Sequence, residues 1–310
     1  MTRAAAVLLF ILLSCPAYCD IDFREANIEA VARGQALAGA FSASVDDASA
    51  LYVNPAGLSM VRRPEGVISF TKWFADTSIQ YLQAALPVSS NSSASFGVTY
   101  NNMGELEYID ENGFITGDVI RPNAVTLSGG YGAGVFDLYS EEPRRLDMTL
   151  SIGAGLKVMF RHDGFENDAA LMLDAGAVFR FRNGIRAAFA VQNLGIISPA
   201  TPPVTIKAAG SYVIQPDVLN KLNLSAEARY CIDNTVTLAA GAELSVAGNF
   251  FLRAGYMWKP GVVTEEGMLT GLNGGFGINF IPIKIDYTVT TNGGLGINHM
   301  FGLAYVLENR

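Results

Sequence analysis

The stretch MTLSIGAGLKVMFR, residues 148–161, decides the fold. Met148, Leu150, Ile152, Ala154, Leu156, Val158 and Phe160 share one face of an extended chain. Thr149, Ser151, Gly153, Gly155, Lys157, Met159 and Arg161 share the other. Successive side chains of a strand point to opposite faces, so this run describes one strand between two different environments. It is also more than twice the mean strand of about 5–6 residues.

The same period of two recurs on either side. In LNLSAEARYCI, residues 222–232, Leu222, Leu224, Ala226, Ala228, Tyr230 and Ile232 oppose Asn223, Ser225, Glu227, Arg229 and Cys231. TVTLAAGAELSV (235–246) and IKIDYTVTT (283–291) repeat it. The pattern predicts fourteen strands, at 66–74, 78–87, 94–102, 123–135, 147–161, 168–181, 185–194, 204–215, 222–232, 235–246, 250–259, 271–280, 283–291 and 295–307. A tilted membrane-spanning strand needs about 9–11 residues, and most of these reach that length. Tight turns at Arg182-Asn183-Gly184, Ala247-Gly248-Asn249 and Ile281-Pro282 alternate with longer connections at 103–122, 162–167, 195–203 and 260–270. Short turns on one side and longer loops on the other mark an outer-membrane barrel. The connections 136–146, 233–234 and 292–294 break that alternation.

Charge placement separates a barrel from a soluble sandwich. Lys157, Arg161, Asp174, Arg180, Arg186, Lys207, Glu227, Arg229, Glu243, Arg253, Lys259, Lys284 and Asp286 share the parity opposite the apolar stripe. A Lys or Arg facing lipid at mid-membrane costs about 2–4 kcal/mol, so this face must line a wet lumen. A sheet in hydrocarbon must also close, since every backbone N–H and C=O needs a partner there. Trp258, Tyr256, Phe280, Tyr287, Tyr230 and Tyr305 take the outward parity, several of them near strand ends where interfacial aromatics lie. A soluble β-sandwich explains alternation but not strand length. The fold class predicted is all-β: a 14-stranded antiparallel transmembrane barrel, with both ends on the periplasmic side.

Composition agrees. Half of the 310 residues are apolar and 16% are charged, against about 25% charged in soluble domains. The net charge of −8 argues against nucleic acid as a partner. MTRAAAVLLFILLSCPAYCD at the start reads as a secretory signal over residues 1–19, cleaved after Cys19 with Ala17 at the −3 position. The alternative is a lipoprotein box, Leu-Leu-Ser-Cys at 12–15 with Cys15 lipidated; the bulk of Leu13 and the following Pro16 weaken it. Removal of the signal leaves a single cysteine, Cys231, so the exported chain does not depend on an internal disulfide.

Residues 20–65 show no sustained period of two. Asp46 or Asp47 can cap a helical turn at Ala48–Tyr52, Pro55 pushes Asn54 out of the helical region, and Gly57 permits a reversal. The small residues Gly34, Ala36, Ala38, Gly39, Ala40 and Ala43 allow close backbone approach. Such a segment suits a compact hatch inside the barrel formed by 66–310.

RGQALAGAFSASVDDASALYVNPAGLS resembles the N-terminal region of the FadL-like outer-membrane family, most of all its PorV/PorQ branch and uncharacterised spirochaete relatives. The resemblance implies that a hatch with an Asn-Pro-Ala motif plugs a fourteen-strand barrel, with Asn54, Pro55 and Ala56 in that hatch. It also implies passive uptake of hydrophobic compounds such as long-chain fatty acids. The PorV side of the family implies instead an interaction platform, a secretion shuttle or a surface antigen, for which large ordered external loops would be the sign. The acidic 103–122 segment, with Glu105, Glu107, Asp110, Glu111 and Asp118, is the longest loop available. The family carries a kink in its third strand; here Gly97 and the Asn101-Asn102 break before Gly104 read equally as a bulge or as a strand end.

A fatty-acid carboxylate would need a cation in the lumen, and Arg253, Arg229 and Lys157 are the candidates. The ordinary reading is that they pair with Glu227, Glu243 and Asp286 on neighbouring strands. Two histidines, His162 and His299, and no Gly-x-Ser-x-Gly, His-Glu-x-x-His or paired-cysteine spacing argue against an enzyme. No cofactor or metal is expected, and Cys231 is a small filler on the lumen parity. Expected partners are outer-membrane lipids, a hydrophobic small molecule and the barrel-assembly machinery. Phe301, Tyr305 and Leu307 would present an outward face to that machinery, ahead of a Glu-Asn-Arg tail.

Overall fold

The computed structural model describes residues 23–74, 76–109, 114–138, 148–198, 200–260 and 270–307. The signal segment, the lipoprotein box and the Glu-Asn-Arg tail lie outside them. Four strands begin the sheet: β1 (Glu65–Lys72), β2 (Ser78–Ser89), β3 (Ser92–Asn102) and, beyond a small hairpin of β4 (Leu106–Ile109) and β5 (Ile115–Ile120), β6 (Asn123–Leu138). β7 (Met148–His162), β8 (Asn167–Phe181), β9 (Ile185–Ile197), β10 (Thr205–Ile214) and β11 (Lys221–Cys231) follow. β12 (Val236–Val246), β13 (Phe250–Trp258), β14 (Leu272–Phe280), β15 (Ile283–Thr291) and β16 (Ile297–Val306) complete it.

Among the described residues, fourteen antiparallel strands close into a barrel when β1 pairs β16, in register from Glu65↔Val306 to Lys72↔His299. Each predicted strand has its counterpart. The hairpin β4–β5 is the addition: it forms its own two-stranded sheet inside the segment read as a loop. Closure leaves no unpaired edge, as a sheet in hydrocarbon requires. No described helix is long and apolar enough to cross a membrane, so crossing falls to the strands.

The wall has the predicted polarity. On β7 the outward Ile152, Leu156 and Phe160 are about half exposed, while the inward Ser151, Lys157 and Met159 are buried. On the outer surface of β14–β16 three rings, Phe276, Tyr287 and Phe301, pack tilted against one another at centroid separations of 5.4 and 4.9 Å. Outward apolar side chains with inward charges fit lipid outside and a polar lumen within.

Of the two readings left open for the third strand, the structure has the strand end. β3 pairs without irregularity with β6 from Ser92↔Ala133 to Asn102↔Asn123, so Asn101-Asn102 is a strand end and Gly97 sits in unbroken ladder. A bulge facing the hatch lies in β9. There the register shifts between Leu173 and Ala175, and Asn193 takes a positive φ of 59°. A bulge sets two residues against one, and consecutive Gln192 and Asn193 both turn into the lumen.

Residues 23–64 fill that lumen. Short turns at Ala32–Ala36 and Ala50–Val53 are followed by a 3-10 turn at Pro55–Met60. Leu37, Phe41, Val45, Leu51 and Leu58 are fully buried, in a cluster that takes in Val67, Ile79, Tyr81 and Ala85 from β1 and β2. Each such side chain contributes roughly 1.5–3 kcal/mol on burial. A barrel of eight strands is narrow enough to fill with its own side chains; fourteen leave a space that this segment occupies.

Candidate functional site

The Asn-Pro-Ala motif is where the hatch meets the wall most closely. Asp47 Oδ1 accepts the Ser49 N–H at 3.0 Å and the Ser49 hydroxyl, an Asx turn that leads into Ala50–Val53; Ser49 is the N-cap residue there, and no side chain caps the turn. Asn54 is extended, with φ −160° and ψ 107°, and Pro55 opens the next turn. The Asn54 Oδ1 accepts the Ala56 N–H at 3.1 Å, while Nδ2 donates to the carbonyls of Ser42 and of Ala177 on β8. Gly57 makes no reversal. It lies inside the 3-10 turn, and a Cβ there would come within 2.6 Å of Val45 Cγ1, so its use is close packing.

The wall under the motif is a row of glycines. Gly132 on β6, Gly153 on β7 and Gly176 on β8 are direct register neighbours. A Cβ on Gly132 would stand 2.3 Å from the Pro55 carbonyl oxygen, and one on Gly153 2.3 Å from the Pro55 carbonyl carbon. One on Gly176 would overlap Asn54 Oδ1. Missing side chains on the wall thus form the seat for the motif's backbone.

Ion pairs tie the other half of the hatch. Arg33 forks between Glu243 of β12, at 2.8 Å, and the hatch's own Asp46 and Asp47, at 2.7 and 3.0 Å. Burial works to raise the Asp46 carboxyl, but Arg33 outweighs it and holds Asp46 below the ordinary carboxylate range. Glu227 of β11 accepts the backbone N–H groups of Phe41 and Ser42 at 3.2 and 3.0 Å through one oxygen, and Arg229 Nε at 2.8 Å through the other. From the β9 bulge, Gln192 donates to Tyr52 O and Asn193 to Asn27 Oδ1, each at 2.7 Å. Breaking a buried ion pair from one side costs about 3–5 kcal/mol. Arg33→Ala, which leaves Asp46 and Asp47 without their cation while Glu243 keeps Arg253, is therefore expected to loosen the hatch by up to about 3 kcal/mol. Chymotrypsin cleavage within 23–64 at lower urea than in the parent protein, with the barrel still heat-modifiable on gels, is the reading that checks it.

The three lumen cations named from sequence are all engaged. Lys157 pairs with Asp174 at 2.7 Å and donates to Asn193 at 3.0 Å. Arg253 bridges Glu243 and Asp286, and Arg229 holds Glu227. Arg33, Glu29, Gln192, Asn193 and the glycine row were not singled out from sequence. The lumen parity of Gly153 was the available signal for the last; the β9 bulge left none.

Two cavities flank the hatch, and no residue lines both. One, of about 320 Å³, lies on the side of the chain ends, where Glu65, Lys221 and Lys284 begin their strands. The other, of about 420 Å³, lies on the far side, against Trp73, Thr205, Lys259 and Asn292. Both are lined by charged and amide side chains. Arg33, which faces the first, and Gln35, which faces the second, sit on the same short helical turn, so the hatch stands between them.

No family model and no curated protein matches the chain. Solved structures do. The Pseudomonas putida toluene transporter TodX superposes over 90% of this chain and 98% of its own, at 12% identity and a TM-score of 0.57. A TodX monoaromatic hydrocarbon channel mutant covers 89% and 98%, at 11% identity and 0.55. A Pseudomonas aeruginosa FadL homologue follows at 14% identity and 0.49. At these identities what is shared is the architecture: this chain has the closed fourteen-stranded antiparallel barrel fold seen in the TodX channel.

Proposed function

We propose that this chain is a plugged channel of the outer membrane, with the chain ends in the periplasm, admitting hydrophobic compounds such as long-chain fatty acids by passive diffusion. The observation that carries the reading is the hatch seated across a barrel whose fold matches the toluene transporter over nearly its whole length. The outward apolar wall supports a membrane location. Mass spectrometry of lipids that co-purify in detergent, with acyl uptake into liposomes, tests the cargo. Bound acyl chains and flux above that of empty liposomes are expected; the absence of both would overturn the transport reading.

A second reading is the PorV-like platform, which the Asn-Pro-Ala hatch suits equally. The observation that favours it is the number of charged side chains on both cavities, Arg33, Asp46, Asp47 and Glu243 on one and Glu29, Lys207 and Arg229 on the other, because pockets for hydrophobic ligands carry only a few polar groups. Flux indistinguishable from empty liposomes, together with stoichiometric capture of a secreted partner, is the outcome that reading expects.

A further inference from the structure

The far-side cavity contains polar groups whose hydrogen-bonding capacity is only partly met, or not met, among the described residues. Arg229 spends Nε on Glu227, and its Nη2 is buried without a hydrogen-bond partner. Lys207 is buried and makes a single 3.5 Å contact, with Val53 O. Glu29, on the hatch, accepts the Val31 N–H at 3.3 Å, and no cation stands within ion-pair distance of it among the described residues. Burial pushes the Glu29 carboxyl up, and Arg229 and Lys207 offset that only in part. Asn273, on β14, is 2% exposed, and neither its Oδ1 nor its Nδ2 has a partner. Buried polar groups are nearly always satisfied, so each exception needs a cause. All four side chains line the one cavity of about 420 Å³.

The chemistry left over is of two signs. Lys207 and the free edge of Arg229 call for an anion, with a carboxylate suited to the guanidinium. Glu29 calls for a cationic donor, and Asn273 offers one donor and one acceptor. We propose that this cavity binds a small amphoteric solute carrying both a carboxylate and an ammonium group, as a free amino acid does. The carboxylate meets Lys207 and Arg229, and the ammonium meets Glu29. Such a solute spans the hatch, through Glu29, and the wall, through the other three, so it fastens the plug from the outer side. The site does not depend on whether hydrophobic compounds cross the barrel.

The test uses full-length protein in detergent and three matched probes: L-alanine, propionate, which lacks the amine, and ethylamine, which lacks the acid. Calorimetry is expected to give saturable binding of L-alanine, with each half-molecule weaker by at least about tenfold, as loss of one charged hydrogen bond implies. Glu29→Gln and Lys207→Gln should each cost a similar factor while heat-modifiable migration is kept. Trp73 lines the cavity, and the only other tryptophan, Trp258, faces outward. L-alanine should therefore shift the emission of a Trp258→Phe protein, a readout that needs no change at the site. Propionate binding as tightly as L-alanine would overturn the amphoteric site in favour of a plain anion site. No saturable heat with any probe, or unchanged binding in both glutamine variants, would overturn it outright.

Discussion

Deleting residues 20–60 is expected to leave a folded barrel whose single-channel conductance rises by at least about an order of magnitude over the intact protein. The wall ladder is complete without the hatch: each barrel strand pairs with two barrel neighbours, and β1 closes on β16. What the deletion removes is the apolar cluster around Leu37, Phe41, Leu51 and Leu58 and the ties from Arg33, Asn54 and Tyr52. It also joins the two polar cavities. The exposed lumen would then hold Glu227, Glu243 and Asp174 beside Lys207, Arg253 and Lys157, a surface that water can solvate. Planar-bilayer recordings check the result. A deletion that migrates as a folded barrel yet conducts no more than its parent would refute the plug.

A single methyl-bearing side chain on the glycine row should come close to the same effect. Gly153→Val places Cβ 2.3 to 2.5 Å from three backbone atoms of Pro55 and Ala56. Backbone cannot change rotamer, so the motif must lift off its seat. Overpacking costs about 1–3 kcal/mol where side chains can adjust, and here they cannot. Gly129→Val on β6 is the matched control, since a Cβ at Gly129 meets nothing nearer than 4.0 Å. The first variant is expected to show leak conductance and protease-sensitive hatch residues, the second neither. Equal behaviour of the two variants would remove the glycine row from the account.

How much of this was legible beforehand follows the range of the forces involved. The strands were readable because lipid and lumen impose a local rule on every second residue. Lys157 and Arg161 beside Leu156 and Phe160 are enough to orient one strand. The break at Asn54-Pro55 was readable for the same reason, since a proline acts on the residue before it, whereas the Asp47 carboxyl bonds Ser49 and does not cap the turn. The β4–β5 hairpin was missed because its strands, Leu106–Ile109 and Ile115–Ile120, are short and sit in an acidic segment. The β9 bulge was missed because Gln192-Asn193 stands where the period of two gives out, and two consecutive amides there read as the approach to a loop. Gly57 was misjudged because a glycine used for contact looks the same in sequence as one used for a turn. The partners of the luminal charges were out of reach: Arg33 and Glu243 are 210 residues apart, and only closure of the barrel brings them together.

The account rests on the hatch lying inside the barrel against β7, and a cross-link reports that placement directly. The Ser59 hydroxyl donates to the Ser151 hydroxyl at 2.8 Å, both buried, one on the hatch and one on the wall. Ser59→Cys with Ser151→Cys, in a Cys231→Ser background, should oxidise to an internal disulfide in the folded protein. That disulfide should lock the hatch and be read as a mobility shift on non-reducing gels. Two thiols that stay free and react with a membrane-impermeant maleimide would place the hatch outside the barrel and contradict the account.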